Sequence, residues 1–210
     1  MSSRSEDILS APIPTEILVL RHAEVYNPKN IVYGRLARFS LSARGREQAV
    51  MAARFLSTRK IDAIYSSPLL RARQTALAVA AMNKIEVHFR RALLEVKSGY
   101  QGQSNTILKP SFSFYEPQVS PQDETMQQVL DRMMGVLRSV VRRHAGGRVV
   151  LVSHGDPIAI MRVGLEGRPL TVYDLHHTVY PSRASVTQVD LHPHAGIRLS
   201  YFDVTGEGPN

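Results

Sequence analysis

Apolar residues along this chain fall into two rhythms: short continuous runs, and longer stretches in which they return every three or four positions. "EILVL" at 16–20 is a continuous run, the pattern of a strand covered on both faces. After a loop rich in Asn, Pro and Gly, the segment opening at Ser42 places Ala49, Ala52, Ala53 and Leu56 on one helical face, with Ser42 as its N-cap. "IDAIYSS" at 61–67 reads as a second strand; Ser67 is placed to cap, and Pro68 to begin, the helix "LLRARQTALAVAAM". "IEVHF" at 85–89 is a third short strand. The stretch from about 95 to 119 has no period and is too long for a simple connector, so it reads as a lid or substrate loop.

A second Ser-Pro pair at 120–121 is expected to cap the next helix, whose stripe Met126, Val129, Leu130, Met133, Leu137 and Val140 is a core face. "RVVLVSHG" at 148–155 repeats the opening pattern, "DPIAIMRVGLEG" follows as a helix, and "ASVTQVDL" with "IRLSYFDV" closes the chain as a hairpin of strands. No period or low-complexity linker divides the sequence. The alternation predicts an α/β fold, a three-layer α/β/α sandwich with a mostly parallel central sheet and helices on both faces. A flexible leader over residues 1–15 and a single domain over 16–210 are expected.

Composition narrows the chemistry. At 43% hydrophobic and 21% charged residues, the chain is ordinary globular material with no apolar run long enough to span a bilayer. Its N-terminus carries Glu6 and Asp7 where a secretory signal would be apolar, which reads as a cytoplasmic protein. With no cysteine, disulfides, thiolate catalysis and cysteine-held metals are excluded. The net charge of +8 suggests an anionic partner. The 26 cations are scattered, never more than two in a row, and aromatics are only 7%, so a small phosphate ester suits the charge better than nucleic acid.

The candidate chemistry sits at strand ends. His22 and His154 each follow an apolar run directly, and in open α/β sheets ligands bind beyond the carboxyl ends of the strands, so the two would share one rim. Either alone is the pattern of a hydrogen-bonded structural histidine. Together, one beside Arg21 and one before Gly155, they point to an anion site. Arg71 lies in the first turn of a helix, where free N–H groups favour an anion; Arg73, two residues on, points to a different face and competes for the same role. Spacing does not choose between them.

The blocks "LVLRHAE" (18–24), "LSARGREQA" (41–49), "SSPLLRARQTA" (66–76), "LLEVKSGYQG" (93–102) and "VSHGDPI" (152–158) stand in the order of the histidine phosphatase superfamily, and the chain resembles its phosphoglycerate-mutase-like branch from about residue 16 to 203. The resemblance implies His22 as a nucleophile that becomes phosphohistidine without metal or other cofactor. It also implies Arg21, Arg71 and His154, with Gly155, as the phosphate pocket, which selects Arg71 over Arg73, and Glu95 as the acid/base. Asn27, with Tyr26 and the "YGR" at 33–35, falls where the family lines the substrate mouth.

Departures from the family pattern carry expectations of their own. Ala23 stands where the family writes glycine, so an ordinary backbone conformation is expected there; the His22 to Asn27 spacing is one residue short. Tyr100, Gln101 and Gly102 replace the family's aromatic-acid-glycine, and Phe112, Phe114 and Tyr115 read as packing anchors of the 97–119 wall. His176 and His177 have no third ligand at sensible spacing and read as structural. The implied activity is a metal-independent phosphomonoesterase acting on a small phosphorylated metabolite. The alternatives are a phosphoglycerate mutase using the same residues and a non-catalytic phospho-ligand or nucleic-acid binder.

Overall fold

Ile17, Leu18, Val19 and Leu20 are all wholly buried, as the continuous run requires, and they form the middle of the first strand. The computed structural model describes residues 13–108 and 112–206. Its elements in chain order are β1 (Thr15–Arg21), α1 (Ala43–Ser57), β2 (Ala63–Ser66), α2 (Leu70–Asn83), β3 (Val87–Phe89), α3 (Met126–Arg143), β4 (Arg148–Ser153), α4 (Gly155–Leu165), α5 (Val172–His176), β5 (Val186–His192) and β6 (Gly196–Phe202). Short 3-10 turns lie at Arg91–Leu93 and Asn105–Ile107. Residues 1–12 of the expected leader lie outside the described residues, whereas Thr15 is buried and already part of β1.

The six strands lie in the order β3-β2-β4-β1-β5-β6. β3, β2, β4 and β1 run parallel to their neighbours, and β5 and β6 join antiparallel to close the far edge. Because side chains alternate across a strand, β1 contributes to two cores. Ile17 and Val19 pack with Tyr65, Leu151 and the Met133 and Leu137 face of α3, and with Ile158 of α4. Leu18 and Leu20 pack on the other face with Ala49, Ala52 and Leu56 of α1 and with Ala76 and Val79 of α2. All six expected stripe residues of α3 are buried. Among the described residues no helix is long and apolar enough to cross a membrane.

Two caps differ from expectation. Helix α2 begins at Leu70 with Leu69 at its N-cap and no side-chain cap, so Pro68 precedes the helix rather than opening it. Ser67 is instead drawn across the sheet end to His154. Helix α3 is capped not by Ser120 but by Thr125, whose hydroxyl accepts from the Gln128 N–H while the Gln128 side chain accepts from the Thr125 N–H, a reciprocal capping box. The Ser-Pro pair at 120–121 lies in a loop held by Asp123, which accepts from the Gly99, Val119 and Ser120 N–H groups. Helix α5 was not anticipated; five residues are too few to show a helical period.

At the N-terminus of α1, Ser42 caps as expected by accepting from the Gly45 N–H at 2.9 Å. Gly45 is required there: a Cβ would stand 2.0 Å from the Glu24 carbonyl oxygen, so only glycine lets the loop after β1 lie against the first turn of α1. The irregular stretch is anchored by a bridge between Ser104 and Ile31 and by the Asn105–Ile107 turn.

Candidate active site

Parallel register builds the site. Arg21 of β1 pairs with Ser153 of β4, so the next residues, His22 and His154, emerge side by side with ring centroids 5.0 Å apart. Ser66 pairs with Val152 at the same rim, and Ser67 beyond it lies 2.8 Å from the Nε2 of His154. Arg71, in the first turn of α2, is wholly buried and donates from Nε to the Nε2 of His22 at 3.2 Å and from Nη2 to the Gly34 carbonyl at 2.6 Å. Arg73, two residues on, is exposed with its guanidinium over the Phe89 ring.

The His22 ring has a defined tautomer. Its Nδ1 lies 2.7 Å from the Ala23 carbonyl, which can only accept, so Nδ1 carries the proton and Nε2 keeps its lone pair. Burial, with the charges of Arg71 and Arg21, holds this imidazole well below the ordinary histidine range, and it is neutral at physiological pH. Ala23 is not among the residues of positive φ, so the residue that replaces the family's glycine carries no strain.

His154 is likewise held neutral by burial and by Arg71. Its Nδ1 lacks a hydrogen-bond partner and stands 4.0 Å from Oε2 of Glu95. The Glu95 carboxyl is pushed up to about 7, first by burial and then by the nearby Asp156, against the pull of Arg71, the Val96 N–H and Arg21. Both its protonated and its ionised form are therefore within reach near neutral pH.

Arg21 and Glu95 border a cavity of about 380 Å³ whose wall also includes Asn27, Tyr33, Asp156 and Arg183. Arg21 donates from Nη1 to the Pro181 carbonyl at 2.6 Å, while its buried Nε has no partner. Asn27 lies on the wall, its amide donating to the Ile31 carbonyl at 2.8 Å and accepting from the Ile31 N–H. Tyr33 stands edge-on to His22 and beneath the Arg71 guanidinium, whereas Tyr26 is exposed. His177 stacks on Tyr173, a packing contact outside the cavity.

Residues 17–203 match the histidine phosphatase superfamily, branch 1. The chain belongs to this superfamily. Phosphoserine phosphatase 1 of Hydrogenobacter thermophilus is 34% identical over 170 residues, covering 75% of this chain and 79% of that protein. The metal-independent phosphoserine phosphatase of Arabidopsis thaliana is 30% identical, covering 72% of this chain and 68% of its own length. Among solved structures, the mycobacterial glucosyl-3-phosphoglycerate phosphatase superposes with a TM-score of 0.72 at 26% identity, covering 90% of this chain and 97% of that one.

Within this histidine phosphatase fold, the structure adds site residues that the sequence did not single out. Asp156, in the first turn of α4, is buried and accepts from the Tyr180 hydroxyl at 2.7 Å and the Tyr115 hydroxyl at 3.0 Å. Gly155 makes that contact possible, since a Cβ would meet the Tyr180 hydroxyl at 2.2 Å. Tyr180 also lies under the Arg21 guanidinium. Arg183 pairs with Glu24 at 3.2 Å and is followed by Ala184 at φ +59, a left-handed conformation that costs an alanine about 1–2 kcal/mol. The only sequence signal for Asp156 was its place directly after "SHG".

Asp156→Asn keeps an acceptor for a tyrosine hydroxyl but removes the negative charge, leaving Arg21 and Arg71 to pull on Glu95. Glu95 then ionises at lower pH. The alkaline limb of kcat/KM, expected near pH 7, moves to lower pH in this variant, and an unchanged limb would show that Glu95 is not the titrating group.

Proposed function

We propose that this chain hydrolyses small phosphomonoesters through a phosphohistidine on Nε2 of His22. The observation that carries the reading is the tautomer-fixed imidazole whose lone pair faces Arg71, with the Glu95 carboxyl close to the neighbouring His154. A phosphate entering the site takes over the donors that Arg71 now gives to His22, while the unpartnered Nε of Arg21 offers a second contact. Guanidinium forks match the equatorial oxygens on which charge spreads during transfer.

In the first step Nε2 bonds to phosphorus, the P–O bond to the alcohol breaks, and Glu95 delivers its proton to the departing oxygen. In the second, water attacks the phosphohistidine, Glu95 takes the water's proton, and the N–P bond breaks to release phosphate and restore Nε2. Neither step calls for a metal. A cavity of about 380 Å³ suits a small metabolite. Relatives that carry phosphoserine and glucosyl-3-phosphoglycerate phosphatase names support a small phosphorylated acid as substrate.

Phosphate release measured in the presence of EDTA over a panel of phosphoserine, phosphoglycerates, sugar phosphates and nucleotides tests the reading. At least one alkyl ester is expected to turn over with kcat/KM above about 10⁴ M⁻¹s⁻¹. Interconversion of 2- and 3-phosphoglycerate outpacing phosphate release would instead make the chain a mutase.

A further inference from the structure

Behind Glu95, outside the steps above, three charged side chains converge. Arg35, in the loop after β1, donates from Nε to the Glu95 carbonyl oxygen at 2.6 Å and from Nη2 to Oε2 of Glu124 at 2.6 Å. Arg132 of α3 donates from Nη2 to the same Glu95 carbonyl at 3.3 Å, and holds Glu124 from Nε at 3.1 Å and from Nη2 at 3.2 Å. Its Nη1 donates to the Ala92 carbonyl at 2.7 Å. Glu124 in turn accepts from the Lys97 N–H at 3.0 Å, and its own N–H donates to the Lys97 carbonyl at 2.9 Å.

One carboxylate thus compensates two guanidiniums aimed at a single main-chain oxygen. The same unit pins the backbone before Glu95, at Ala92, and after it, at Lys97. These groups are largely removed from water, with side chains 22% (Arg35), 18% (Glu124) and 15% (Arg132) exposed, so the pairs are screened less than surface ion pairs. Burial works against the Glu124 charge, but Arg132, the Lys97 N–H and Arg35 outweigh it and keep the carboxyl below its ordinary range.

Glu95 itself lies on no helix or strand, only a connecting segment. A proton-transfer group must hold its place to within a fraction of an ångström, and a misplacement of about 1 Å costs on the order of 10²-fold. The clamp grips the main chain of Glu95, while the carboxyl accepts at Oε1 from the Val96 N–H. It also reaches the phosphate end of the site, because Gly34, next to Arg35, accepts from Arg71.

We propose that Arg35, Glu124 and Arg132 are positioning residues that fix Glu95 for proton transfer, an inference that rests on Glu95 being the acid/base. The test is to measure kcat/KM for the full chain and for Glu124→Gln, Glu95→Gln and the double variant. Two esters are compared: the best alkyl phosphomonoester of the panel, whose alkoxide must be protonated, and p-nitrophenyl phosphate, whose phenolate leaves without a proton. Glu124→Gln is expected to lose about tenfold or more on the alkyl ester and less than about twofold on the aryl ester, and to add less than about twofold to Glu95→Gln.

Equal losses on both esters, or a full additional loss in the Glu95→Gln background, would overturn the positioning role and leave general support of the pocket. Full alkyl-ester activity in Glu95→Gln would overturn the acid/base reading itself. Should Glu124→Gln not fold, Arg35→Lys, which keeps the charge but loses the fork, carries the same comparison with the same expected split.

Discussion

His22→Ala is expected to fold and to release essentially no phosphate from any phosphomonoester. The backbone at this position does not depend on the imidazole: the His22 N–H donates to the Ser153 carbonyl and the Ala23 N–H to the Thr75 hydroxyl. Loss of the buried ring leaves a small cavity, so the thermal midpoint should fall by only a few degrees, at about 2–4 °C per kcal/mol for a chain of this size. Catalysis fares differently, because removing a covalent nucleophile costs on the order of 10⁴-fold or more. Arg21, Arg71 and His154 remain in the variant, so it should still bind inorganic phosphate. Activity above about a tenth of the wild-type value would remove His22 from the nucleophile's role.

Arg71→Lys is expected to lower kcat/KM by about 10²- to 10³-fold. Lysine keeps the charge but not the fork that reaches both the Nε2 of His22 and the Gly34 carbonyl, and a single ammonium cannot address two equatorial oxygens in the same plane. Arg73→Lys provides the internal comparison. Its exposed guanidinium lies over Phe89, so its activity should stay within about twofold of wild type. A comparable loss in both variants would point to diffuse electrostatic attraction rather than a built phosphate contact.

What could be read from the sequence were the features written in local patterns. Continuous apolar runs gave β1 and β4, and their parallel pairing placed His22 beside His154, as two strand-end histidines suggested. The helical stripes of α1 and α3 became the inner faces of two cores. The Ser67 cap went astray because a long-range hydrogen bond to His154 competes with the local one, a choice that residue spacing does not encode. The α3 start was legible in Thr125 and Gln128, three residues apart, but the Ser-Pro pair at 120–121 masked it.

The Arg35, Glu124 and Arg132 clamp could not be foreseen, since its members lie 89 and 8 residues apart and two of them, Arg35 and Glu124, stand in loops that have no period. Asp156, Tyr115 and Tyr180 are similar: their meeting depends on how the irregular stretch before α3 and the segment after α5 both reach the start of α4. The 97–119 wall remained patternless in sequence, and part of it, residues 109–111, lies outside the described residues.

The proposed mechanism turns on a covalent phosphoryl group on one nitrogen of His22. Rapid acid-free quenching of wild-type protein during turnover of its best ester, followed by peptide mass spectrometry, tests it most directly. An alkali-stable, acid-labile phosphate is expected on the peptide carrying His22, absent from the His22→Ala protein. Phosphate mapped to His154 instead, or turnover with no phosphorylated peptide at any quench time, would contradict it.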